Sequence, residues 1–143
     1  MENVMMIIYK QNDLIPVEFS EGEDSFVLYF SPVTVAQKTC LQARQAARGD
    51  SPEAYLEFVR DCIGVSLKKA KGLSLSDGED WQPKFEDGML SSESLDDLLS
   101  LPVANSVVTF SGLFLRATPR EGRVIGLDGQ PLPGVVVKKS VKS

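Results

Sequence analysis

The side chains able to do chemistry in this chain are few, and their spacing does not suit catalysis. There is no histidine. That removes the commonest general base, the commonest metal ligand and every Ser-His or Cys-His nucleophile pair. Cys40 and Cys62 sit in no metal or redox spacing and read as reduced thiols rather than a disulfide. Gly122, Gly126 and Gly129 lack dinucleotide-loop spacing, and no Gly-Lys-Ser or Gly-Lys-Thr occurs. One carboxylate cluster remains: Asp77, Glu79, Asp80, Glu86 and Asp87. Paired acids could hold Ca²⁺ or Mg²⁺ or work as acid and base. The spacing is not that of a calcium-binding helix-loop-helix, however, and no bidentate glutamate closes the cluster. A solvated loop or an acidic docking surface accounts for it. The chain is therefore expected to be no enzyme and to need neither cofactor nor metal.

Binding is the better use of what is present. Glu57 and Arg60 stand on an expected helix surface, and Trp81 and Phe85 are the large anchors of an otherwise polar stretch. These four are the candidate partner-binding residues, although Trp81 and Phe85 would equally serve as satellite core. Asp96 and Asp97 fall early in a short helix, where negative charge suits the dipole. Lys138, Lys139 and Lys142 read as a solubilising end. With 15 basic against 20 acidic residues and a net charge of −5, nucleic acid is not an expected partner. Met5-Met6-Ile7-Ile8 is too short for a signal h-region or a membrane span, so the expected location is the cytoplasm, with no membrane partner.

The elements that must position these residues follow from periodicity. Met5 to Tyr9, Leu14 to Phe19 and Ser25 to Phe30 read as strands of an antiparallel meander, separated by turns at Gln11-Asn12-Asp13 and Glu21 to Asp24. Pro16 suggests that the second of them is an edge strand. After Phe30 the period becomes helical. Thr34 and Gln37 form a capping box, and Val33, Ala36, Cys40, Ala43 and Ala47 form a narrow stripe of mostly small residues, read as internal packing. Gly49 ends this helix. Ser51 and Pro52 open the next, with Leu56, Val59, Ile63 and Leu67 as its apolar stripe. So short a connection makes an antiparallel helical hairpin over 34–70.

Lys71 to Met89 is turn-rich, with turns at Asp77-Gly78 and Asp87-Gly88. Ser92 is expected to cap a short helix with Leu95, Leu98 and Leu99 inward. Val103 to Ala117 is read as helix, against the β propensity of Val107 to Phe110 and the cost of Gly112. The fold class is α+β: an N-terminal antiparallel meander on a helical hairpin with further short helices. Residues 1–118 form one domain, and 119–143 a C-terminal extension, either hairpin or tail. Partner contacts are expected on the two helices and the Ser92 helix, away from the acidic loop.

The order of these elements carries a resemblance. Ser25-Phe26-Val27-Leu28-Tyr29-Phe30 leads into a helical hairpin broken at Gly49-Asp50-Ser51-Pro52. A polar segment with Trp81 and Asp87-Gly88 follows. Then come Ser91-Ser92-Glu93-Ser94-Leu95-Asp96-Asp97-Leu98-Leu99, Pro102 and one more apolar segment. Over roughly residues 14–117 this resembles the small tail assembly chaperones of long-tailed bacteriophages and prophages. The resemblance implies a non-enzymatic role in the host-cell cytoplasm, binding the tape-measure protein and handing over to tail-tube subunits, with self-association left open. It also implies that ribosomal frameshifting near Lys138-Lys139 could make 119–143 a connector in a longer product. A structural component of a phage tail, neck or baseplate, or a host regulatory or adaptor module, are the alternative readings.

Overall fold

A computed structural model describes residues 13–21, 23–74, 80–101, 104, 106–108, 110–111, 121–126 and 128–142. The expected strand Met5–Tyr9 and the candidate acids Asp77 and Glu79 lie outside the described residues. β1 (Asp13–Glu21) and β2 (Asp24–Phe30) form an antiparallel hairpin in continuous register from Ile15↔Phe30 to Glu21↔Asp24. Next come α1 (Val35–Arg48), α2 (Pro52–Ser66) and β3 (Leu67–Lys71). A small hairpin of β4 (Phe85–Glu86) and β5 (Met89–Leu90) precedes α3 (Ser92–Leu99). The chain closes with β6 (Gly122–Ile125), β7 (Pro131–Val137) and β8 (Val141–Lys142). The sheet order is β3-β2-β1-β7-β6, with β8 also pairing β1, and every pairing is antiparallel. The protein is α+β, as expected.

Alternation sets the sheet's inner face. Ile15, Val17 and Phe19 point inward from β1, Leu28 and Phe30 from β2, and Val135 and Val137 from β7; all are buried. Val59 and Ile63 of α2, Leu95 and Leu98 of α3, and Val107 and Phe110 cover them in one core. Ala104, Ser106, Val107, Val108, Phe110 and Ser111 are helical. The apolar spacing thus prevails there over local β propensity, because Phe110 must reach the sheet. Its ring meets Phe19 edge-on at 5.8 Å and Phe30 at 5.2 Å.

Four expectations are corrected. Pro16 does not mark an edge: β1 lies between β2 and β7–β8. Leu14 pairs with Val141 and Val17 with Val137, so three steps along β1 face four along its neighbour, and one residue bulges out beside Pro16. The missing N–H falls at that interruption, where a sheet tolerates proline. The Pro16 carbonyl still accepts from the Lys138 N–H at 2.8 Å.

The small-residue stripe of α1 is not packed inward. Ala36, Cys40, Ala43 and Ala47 are exposed, and the buried residue is Leu41, which meets Cys62, with Phe58 and Val65 packed around the pair. One large apolar side chain gains more by burial than a row of alanines, so Leu41 sets the rotation of the helix.

Leu67 leaves the helix. Leu67–Lys71 is strand, recruited by the free edge of β2. Its lysines, poor β-formers, suit an edge that must not pair further.

The α3 cap is Ser91, not Ser92; its side chain accepts from the Ser94 N–H.

The segment after Pro119 closes as the β6–β7 hairpin, and its β7 hydrogen-bonds to β1 in the middle of the sheet. With Val135 and Val137 buried, this segment is firmly tied to the core.

Candidate functional site

α2 has three faces. Ser51 caps it and Pro52 fills its first turn, where a missing N–H costs nothing. Val59 and Ile63 face the sheet and Cys62 faces α1. That rotation leaves Leu56, Glu57 and Arg60, neighbours at three- and four-residue spacing, on the third face.

The β4–β5 hairpin approaches this face. Asp87 and Gly88, at φ 52° and 79°, make the left-handed two-residue turn that joins tight hairpins. Gly64 of α2 permits the approach: a Cβ there would stand 3.3 Å from the Met89 methyl, tighter than ordinary contact. The base of the hairpin is fixed to α3. The Lys84 N–H donates to Ser94 Oγ at 2.9 Å, and the Ser91 N–H donates to the Lys84 carbonyl at 2.8 Å.

Consecutive acids of α3 tie two further elements. Arg60 Nη1 donates to Asp96 Oδ1 at 2.7 Å, and Trp81 Nε1 donates to Asp97 Oδ2 at 3.3 Å. The helix dipole alone therefore does not account for these aspartates.

Between α2, the hairpin and α3 lies an open cleft of about 570 Å³. Leu56, Met89, Leu90 and Leu95 give it apolar surface, and Glu57, Glu86 and Asp87 stand on its rim. Leu56 is 47% exposed. Arg60 is engaged by Asp96. Asp61, which also lines the cleft, is engaged from α1, with Arg48 at 2.9 Å and Arg44 at 4.0 Å. The closer contact is ionic, without hydrogen-bond alignment. Glu57, Glu86 and Asp87 have no ion-pair partner among the described residues, so the cleft keeps an uncompensated negative rim.

Of the sequence-derived candidates, Glu57 and Arg60 come together in this cleft. Arg60 is less free than expected, its side chain only 20% exposed. Phe85 lies on β4 beside the cleft, 42% exposed, whereas Trp81 is core. Sequence reasoning placed Leu56 inside and set the acidic loop apart from the binding surface; the hairpin brings Glu86 and Asp87 opposite α2. The signal was available in Asp87-Gly88 flanked by Phe85 and Met89, a hairpin turn between apolar residues.

No protein-family model, curated protein or solved structure matches the chain.

Cys40 is exposed and Cys62 buried, both free. Burial, and after it the charge of Asp61, pushes the Cys62 thiol up to about 12, which leaves it protonated and unreactive at neutral pH. Among the described residues no group of three or more acids or thiols could hold a metal ion. No described helix is long and apolar enough to cross a membrane.

Proposed function

We propose that this chain is a non-enzymatic protein-binding factor and, within that class, a phage or prophage tail assembly chaperone acting in the host cytoplasm on tape-measure and tube proteins. The observation that carries the reading is the cleft itself. It sets the apolar side chains Leu56 and Met89 among the acids Glu57, Glu86 and Asp87, and Leu56 is half-exposed. Covering the exposed part of Leu56 would contribute about 1 kcal/mol.

A cleft of this kind suits the transient covering of an apolar stripe on a protein that awaits assembly. The acidic surface keeps the carrier soluble meanwhile. The resemblance in element order supplies the phage context; the cleft supplies the means.

Co-expression tests the reading. A tape-measure protein, the proposed partner, is expected to stay in the soluble fraction and to co-purify with the intact chain. With Leu56→Asp it is expected to precipitate. A tape-measure protein equally soluble with and without this chain would refute the chaperone reading.

A further inference from the structure

We infer that the segment entering the α2–α3 cleft is a helix with an apolar ridge flanked by lysine or arginine. The inference rests on the protein-binding reading above and specifies the chemistry of the partner. It is carried by charge and by backbone geometry.

Charge comes first. Glu57 on α2 faces the hairpin that carries Glu86 and Asp87, and all three are exposed without an ion-pair partner among the described residues. Arg60, the cleft's own cation, is held at 2.7 Å by Asp96. An acidic partner would meet like charge on both walls. A basic one places its cations against free carboxylates while its apolar side chains reach Leu56, Met89 and Leu95.

Backbone geometry then selects a helix. An added strand would need a run of unpaired N–H and C=O groups to pair with. The strands beside the cleft, β4 and β5, are two residues each and pair with one another. The remaining walls are α2, whose backbone bonds are internal along this face, and the first turn of α3, where Ser91 takes the N–H groups of Ser94 and Leu95. No wall offers a strand edge long enough to extend, and the occupant that fits is one that satisfies its own backbone, as a helix does.

The test uses the full chain and three synthetic helices, with binding followed by calorimetry and by backbone amide shifts. The first helix has leucines along one ridge and lysines beside them; the second has glutamates for the lysines; the third has serines for the leucines. The first is expected to bind, with shifts centred on Leu56, Glu57, Met89 and Leu95. The variant Glu57→Gln/Glu86→Gln/Asp87→Asn should weaken it by about tenfold at low salt. Asparagine at 87 tolerates the left-handed turn, so this variant is expected to keep the fold, which the amide spectrum reports directly.

Equal binding of the first two helices at the cleft would overturn the charge assignment while leaving a docking cleft in place. Failure of all three, with the natural partner still captured, would overturn the inference and leave the protein-binding reading standing. Self-association through the cleft, seen as concentration-dependent shifts at the same residues without any helix, would also overturn it.

Discussion

Arg60 and Asp96 meet at 2.7 Å across 36 residues of sequence, and through them α2 is tied to α3 beside the cleft. The pair is asymmetric: the arginine side chain is 20% exposed and the aspartate 69%. Solvent therefore screens much of the attraction, and packing of the arginine stem carries a good part of its value. Arg60→Ala is expected to cost about 1 kcal/mol in chemical denaturation, and Asp96→Ala less. Glu57→Ala, at an exposed position without an ion-pair partner among the described residues, should stay within about 0.5 kcal/mol of the parent. Equal, large losses for Glu57 and Arg60 would show the face to be more deeply packed.

The two thiols should behave oppositely. Cys40 is expected to be alkylated readily in the native state, and Cys62 only on unfolding. Burial first, then Asp61, raises Cys62 from an ordinary 9.0 to about 12. Below about pH 9 the proton is held in folded and unfolded chains alike, so the stability contribution of the neutral thiol is fully present. Between 9 and about 12 only the unfolded chain releases it, so stability falls as pH rises. The parent should therefore show a steeper alkaline loss than Cys62→Ala in urea midpoints across that range. Parallel curves would contradict the buried-thiol account.

The sheet offers a test at Gly134. It adopts φ +70°, and a Cβ there would collide with the Ser20 carbonyl of β1. Both the left-handed backbone and the clash oppose any side chain. Gly134→Ala is expected to destabilise the protein by more than about 1 kcal/mol. A substitution at Gly129, also at positive φ but with open space around it, should cost less. The comparison, made by thermal or urea unfolding, separates backbone strain from packing and shows how firmly β7 is bound to β1.

Much of this architecture was legible in the residues. The Thr34–Gln37 capping box and the Ser51-Pro52 start are local chemistry, and both helices begin where those residues place them. Phe26 to Phe30 specifies its strand by composition alone. What was not legible depended on partners far away in sequence. Leu67–Lys71 becomes a strand because β2 offers a free edge, not because Lys-Lys-Ala-Lys favours extension. Pro16 sits centrally because the break between β7 and β8, more than a hundred residues later, accommodates it. α1 turns on Leu41 and not on its alanines, because Leu41 is the side chain that reaches Cys62, Phe58 and Val65 of α2. The cleft was half visible: Glu57 and Arg60 are candidates on the sequence alone. Its acidic wall was hidden, because a two-residue turn at Asp87-Gly88 had to fold Glu86 back toward α2.

The most direct measurement is a map of backbone amide shifts in the full chain as the proposed partner, a tape-measure protein or its soluble helical segments, is added. Binding at the cleft should move Leu56, Glu57 and Arg60 on α2, Met89 on the hairpin and Ser92 and Leu95 on α3. The outer sheet residues Val27, Tyr29 and Val136 should stay unmoved. Shifts concentrated on the outer sheet face, or on the exposed alanines of α1 with the cleft silent, would contradict the assignment of the α2–α3 cleft as the binding site.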